Sequence, residues 1–192
     1  MQPEAITLEN AHVVLEPLKE RHRAPLRDAG ADPALWRFAT RNQHNSNFDD
    51  WFDSRLAAAA GDDATFAILE KATGAYCGSS SFIDHDERHR RIEIGWTWYR
   101  RNVWGGAVNP AAKHALLSDA FGRLALNRVQ LKVDALNERS QGAVLRLGAT
   151  REGALRNHMV MPDGRLRCSV IFSVIREEWP QVKARLEERL SA

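Results

Sequence analysis

The sequence predicts a mixed α+β protein built on a mostly antiparallel sheet. Two hairpins are legible, each a pair of β-rich runs around a turn, at Lys71–Gly74 and at Pro162–Gly164. Between them lies a strand, helix, strand, helix unit running from Arg91 to Leu147. The 192 residues, 44% hydrophobic and 27% charged, have the composition of an ordinary globular chain, expected to form one domain over 1–192. With 27 Lys+Arg against 25 Asp+Glu the net charge is only +2, which points to neither a nucleic acid nor an anionic membrane as partner. Cys77 and Cys168 form no C-x-x-C pair, so neither a disulfide framework nor a metal site is expected. No run approaches the ~18 apolar residues of a membrane span, and Met1–Asn10 lacks a cationic start followed by a hydrophobic stretch. An uncleaved cytoplasmic protein is expected.

Val13–Leu15 reads as a strand ended near Pro17, followed by a helix over Lys19–Asp28. Phe48–Ala60 carries Trp51, Phe52, Leu56 and four alanines at helical spacing, with Asn47 as its N-cap. At Thr65 the period changes: Phe66 and Ile68, then Tyr76–Ile83, then Arg91–Tyr99 predict three antiparallel strands. Ala112, Leu116, Ala120 and Leu124 share one face of a helix over Pro110–Leu124. Val129, Leu131 and Val133 alternate with polar residues in a half-buried strand, and Asn137–Leu147 returns to helical spacing before Gly148. Thr150–Met161 and Leu166–Ile175 form the second hairpin, and an amphipathic helix over Glu177–Leu190 accepts Pro180 in its first turn.

The chemistry gathers around Trp96-Thr97-Trp98-Tyr99-Arg100-Arg101-Asn102-Val103-Trp104-Gly105-Gly106-Ala107-Val108-Asn109-Pro110, a strand that delivers a Gly-Gly turn into a helix. Helix-start N–H groups lack intrahelical partners, the dipole adds partial positive charge, and glycine lets an anion approach the backbone. A turn needing glycine for positive φ has the same sequence. The next unit adds Asn137-Glu138-Arg139-Ser140 and Leu147-Gly148-Ala149.

Together with Leu15-Glu16-Pro17-Leu18, Glu93-Ile94-Gly95-Trp96, Glu152-Gly153 and Glu178-Trp179, these segments resemble the GCN5-related N-acetyltransferases (GNAT), in the branch similar to RimJ and RimL. The resemblance implies a sheet whose central strands splay apart to admit acetyl-CoA. The family's phosphate turn reads R/Q-x-x-G-x-G/A; Asn102-Val103-Trp104-Gly105-Gly106-Ala107 keeps its spacing, with Asn102 in place of Arg or Gln. Carried over, backbone N–H groups from Val103 to Val108 bind phosphate, Arg101 assists, and Thr97, Trp98 and Tyr99 pair with the pantetheine as an added strand. Asn137 matches the asparagine that bonds the pantetheine arm, and Ser140 the serine near the thioester sulfur. The tyrosine many members place seven residues after this asparagine is Val144 here.

An amine is mostly protonated at neutral pH, so the reaction needs a base, and Glu93 is the first candidate. The alternative is a solvent-face glutamate paired with Arg91 or Arg167. His85, His89, His114 and His158 rank below it. Lys113, four residues after Asn109 on the same helical side, could reach back toward a phosphate at the helix start, but it reads first as a solvated lysine without an assigned role. Trp36, Phe38, Trp51, Phe52, Trp96, Trp98 and Trp104 are expected to be mainly core, some of them lining an acceptor groove. The expected activity is acetyl transfer from acetyl-CoA to a primary amine within a ternary complex, with no covalent enzyme intermediate. A protein N-terminus, or a small amine such as a polyamine or aminoglycoside antibiotic, is the acceptor, and the enzyme is a monomer or homodimer. A CoA-binding module without turnover and an RNA-associated protein stand as alternatives of other classes.

Overall fold

The computed structural model describes residue 3 and residues 6–40, 48–58 and 63–191; the proposed N-cap Asn47 and the end of the alanine run lie outside the described residues. Eight strands, β1 (Leu8–Glu9), β2 (Val13–Pro17), β3 (Ala64–Glu70), β4 (Ala75–Asp86), β5 (Arg91–Tyr99), β6 (Arg128–Asp134), β7 (Thr150–Val160) and β8 (Leu166–Ile175), form one sheet in the order β1-β2-β3-β4-β5-β6-β8-β7. Among the described residues five α-helices accompany them: α1 (Arg23–Ala29), α2 (Phe48–Ala58), α3 (Val108–Phe121), α4 (Glu138–Leu147) and α5 (Trp179–Ser191). Every neighbouring pair is antiparallel except β5 and β6, which α3 joins by the crossover that parallel pairing requires.

The two faces of the sheet are covered differently. On one, α3 packs on β2, β5, β6 and α5, and α4 packs on β6 and α5, burying Phe66, Phe82, Ile92, Leu116, Leu131 and Phe172. On the other, α1 and α2 cover β3 and β4, and Phe48, Trp51 and Phe52 pack with Trp36 and Trp98. Trp98 meets Trp36 and Trp51 edge-on with ring centroids 5.0 and 5.8 Å apart, contacts worth about 1 kcal/mol each beyond the area they bury. That second cover stops at β5. The face of β6 and β8 carrying Gln130, Lys132 and Asp134 is left to the cleft described below.

Helix α3 begins two residues earlier than its periodicity suggested, because Pro110 falls in the first turn, where an N–H has no intrahelical acceptor. It stops at Phe121, short of the predicted Leu124. Two elements carried no readable period: the two-residue β1, paired Leu8 to Leu15, and a 3-10 turn at Pro33–Trp36 capped by Asp32. The backbone is most constrained along β5. Trp96 and Thr97 both stand opposite Ser80, a bulge with Trp96 at φ 50°. Beside it, a Cβ on Gly78 would lie 2.2 Å from the Trp98 carbonyl oxygen, so only glycine lets β4 and β5 approach this closely.

Candidate active site

Strands β5 and β6 pair only through Arg91–Arg128, Ile92–Val129 and Glu93–Gln130. Beyond Glu93 they part, and the β6-facing edge of Gly95–Tyr99 is left without a ladder partner among the described residues. A cavity of about 680 Å³ opens there, walled by Trp36, Phe38 and Trp96 and floored by β6 and β8. Trp98 and Trp104 also line it, whereas Trp51 and Phe52 are core.

The glycine turn closes one end. A 3-10 turn over Arg101–Val103 commits the N–H groups of Val103, Trp104 and Gly106 to the carbonyls of Arg100, Arg101 and Val103. The expected run of free donors from Val103 to Val108 is therefore shorter. Gly105 and Ala107 donate to no acceptor among the described residues, and Val108 opens α3, where no intrahelical acceptor exists. Gly105 takes φ 81°, a conformation that favours glycine.

Trp98, Tyr99, Val103, Trp104, Gly105, Gly106, Asn137, Ser140 and Glu93 line the cavity together. Arg101, Asn102, Ala107 and Val108 do not. The Arg101 guanidinium is held by Asp32 at 2.8 Å, and Asn102 is exposed. Arg139 stands at the mouth of the cavity with its guanidinium 3.4 Å from the centre of the Trp104 ring, over which Arg101 also lies at 5.4 Å. Asn137 caps α4, its Oδ1 accepting the Ser140 N–H at 3.1 Å, so the turn role and the cavity-lining role coexist in one side chain. Val144 also faces the cavity.

Glu93 is 4% exposed and pairs with neither Arg91 nor Arg167. Lys132 Nζ and Gln130 Nε2 each lie 3.0 Å from its Oε2. Arg91 instead bonds Asp86. Two residues along β6, Asp134 is 1% exposed at its side chain and bonds Arg165 at 2.6 Å, while Arg167, 6% exposed, donates from Nε to Ser169 Oγ. His158 Nδ1 is 3.0 Å from the same hydroxyl and takes no nearer part.

Lys113 departs most from the sequence reading. It is buried under the β5 bulge, donating from Nζ to Thr97 Oγ1 at 2.8 Å and Ser80 Oγ at 3.4 Å, and burial pushes its amine down to about 7. The signal lay in its neighbours. Pro110, Ala111, Ala112, Ala115, Leu116 and Leu117 are all buried, and a lone lysine inside such a run has no solvent face to occupy.

Parting parallel strands, a glycine turn at a helix start and a buried carboxylate across the gap define the class of acyltransferase folds. Residues 12–150 match the acetyltransferase (GNAT) domain model, and the chain belongs to that family. YdaF of Bacillus subtilis (strain 168), provisionally named a ribosomal N-acetyltransferase, is 32% identical over 106 residues, 55% of this chain and 57% of YdaF; the match thus spans under two-thirds of that relative. A solved structure from T. thermophilus, provisionally described as an acetyltransferase, is 39% identical with a TM-score of 0.87, covering 99% of this chain and 100% of that one. Mycobacterium smegmatis RimJ, solved with CoA-disulfide, shares the fold at 21% identity and TM-score 0.82, covering 98% and 97%.

Proposed function

We propose that the chain transfers an acetyl group from acetyl-CoA to the amino group of a protein N-terminus by direct attack within a ternary complex. The observation that carries this is the parting of β5 and β6 between free helix-start donors on one side and the buried Glu93 on the other. The name borne by YdaF supports the choice of acceptor.

In this reading the pyrophosphate of acetyl-CoA takes the free N–H groups of Gly105, Ala107 and Val108, with Arg139 adding formal charge. The pantetheine runs along Thr97–Tyr99 as an added strand, and the Asn137 amide bonds its arm. Glu93 takes the proton from the incoming ammonium, directly or through one water. The neutral nitrogen then forms a C–N bond to the thioester carbon, and backbone N–H groups near Trp98 hold the tetrahedral oxyanion. As the C–S bond breaks, the nitrogen loses its second proton to the departing thiolate by way of water, and the Ser140 hydroxyl hydrogen-bonds that sulfur and stabilises its negative charge until the proton arrives.

The test begins with calorimetric titration by acetyl-CoA, followed by turnover with N-terminal peptides. One-to-one binding is expected in wild type and Glu93→Gln alike, with kcat in the variant lower by roughly a hundredfold or more. No binding by the wild type would overturn the proposal, and undiminished turnover by Glu93→Gln would remove Glu93 as the base.

A further inference from the structure

The floor of the acceptor side carries a cation that neither donor binding nor proton transfer uses. Lys132 is committed to Glu93, and Asp134 already bonds Arg165 at 2.6 and 3.5 Å. Arg167 lies 3.8 Å from the same Asp134 carboxylate, so three cations share two carboxylates. Its Nε is satisfied by Ser169 Oγ at 3.1 Å, but neither terminal amino group donates to any described residue. The side chain is 8% exposed and lines the cavity. A guanidinium buried without a counter-charge of its own is costly to maintain, and burial indeed pushes its pKa down against the pull of Asp134. The fork is complementary to a carboxylate.

We propose that Arg167 anchors a carboxylate carried by the acceptor a few bonds from the reacting amine, a substrate class that rests on the transferase reading above. The spacing follows from β6. The Glu93 carboxylate meets both Gln130 and Lys132, and Arg167 adjoins Asp134, two to four residues further on, which is about 7–13 Å of strand. A hydrogen bond of about 3 Å at each end leaves at most on the order of 7 Å between the acceptor nitrogen and its carboxylate. A peptide with an acidic side chain in its second or third position spans the distance, as does a linear ω-amino acid.

The experiment is calorimetric titration onto the CoA-saturated protein, run beside initial-rate assays with acetyl-CoA. The probes are the peptide amides Ala-Glu-Ala-Ala and Ala-Gln-Ala-Ala, and 6-aminohexanoate with its uncharged amide. In at least one pair the acid should bind roughly tenfold or more tightly than its amide, and Arg167→Met should bring that ratio close to one. The responding pair tells peptide from small-molecule acceptor. Retained acetyl-CoA binding checks that Arg167→Met folds, and Arg167→Gln takes its place if it does not. Equal affinity for acid and amide in wild type, no binding of any probe, or a preference that survives the substitution would overturn the proposal. An acid preference lost with Arg167 but unaccompanied by turnover would sustain the anion site and refute the transferase reading instead.

Discussion

Replacing Lys113 by methionine is expected to stabilise the protein at neutral pH and below, and to do so less as the pH rises. The lysine is 6% exposed and its ammonium meets, among the described residues, two neutral hydroxyls, Thr97 Oγ1 and Ser80 Oγ. Burial lowers its pKa from 10.5 to about 7. Between those values the unfolded chain binds the proton more tightly than the folded one, so the penalty is full below about pH 7 and disappears as the pH rises towards 10.5. At about 1.4 kcal/mol per pKa unit the ceiling is about 5 kcal/mol. The substitution forfeits one hydrogen bond, worth about 1 kcal/mol, but leaves no orphan, because Ser80 and Thr97 remain bonded to each other at 2.7 Å. A gain of about 2–4 kcal/mol is therefore expected near pH 6.5, falling to about 0.5 kcal/mol or less near pH 9.5. Urea unfolding of both proteins across that range, with m-values compared, measures it. A variant less stable at every pH, or a gain independent of pH, would refute the reasoning by showing that the ammonium is compensated in the fold.

Two further perturbations separate roles that coincide in one side chain. Asn137→Ala should lose about 1 kcal/mol of stability with the cap of α4, and also weaken acetyl-CoA binding; Asn137→Ser keeps a capping oxygen, so its stability should recover while its affinity for acetyl-CoA stays low. Recovery of both in calorimetry would reduce Asn137 to a cap. Glu16, held down to about 2 by hydrogen bonds from Tyr76 at 2.6 Å and then Arg21 and His22, ties β2 to β4 and to the turn before α1. Its folded pKa is depressed, so its contribution is present above the ordinary value of 4.5 and is lost as the pH falls towards 2. The ceiling is about 3 kcal/mol, nearer 1–2 after screening of a side chain one-quarter exposed. Glu16→Gln should flatten the fall of the urea midpoint between about pH 5 and pH 3, and an unchanged slope would count against it.

The elements that were legible in the sequence are those whose burial repeats with a period. The Arg91–Tyr99 strand and the Leu166–Ile175 strand were bounded correctly because alternating branched and aromatic residues end there at turn residues. The Gly-Gly turn was legible for another reason, since glycine at positive φ is a local requirement. What stayed hidden was relational. Nothing in Ile92-Glu93-Ile94 says that its carboxylate meets Lys132, because that contact depends on where the parallel pairing of β5 and β6 stops. Nor could spacing show that Arg101 pairs with Asp32 and that Arg139, on the far side of the cleft, comes closer over the Trp104 ring than Arg101 does. Lys113 is hidden in the same way: its charge suggests solvent, whereas its burial is set by the helix around it.

The same distinction governs the electrostatics. A net charge of +2 over 192 residues says nothing about partners, yet Lys113, Lys132, Arg139, Arg146, Arg167 and Arg189 line the cavity against only Glu93 and Asp134. Averaging over the chain hides this excess because surface carboxylates elsewhere balance it. Inside a cleft with low-dielectric walls the excess is focused rather than screened, which raises the local concentration of an anionic donor and destabilises the protein that lacks one. The cavity cations without a carboxylate of their own among the described residues lie on opposite faces of the sheet, Lys113, Arg139, Arg146 and Arg189 on the helix side and Arg167 on the floor across from them. A donor with charged phosphates accounts for excess charge on the helix side alone. The charge on the floor needs an anion arriving from the acceptor side, and that asymmetry, more than the size of the total, makes the acceptor's own charge the quantity to vary.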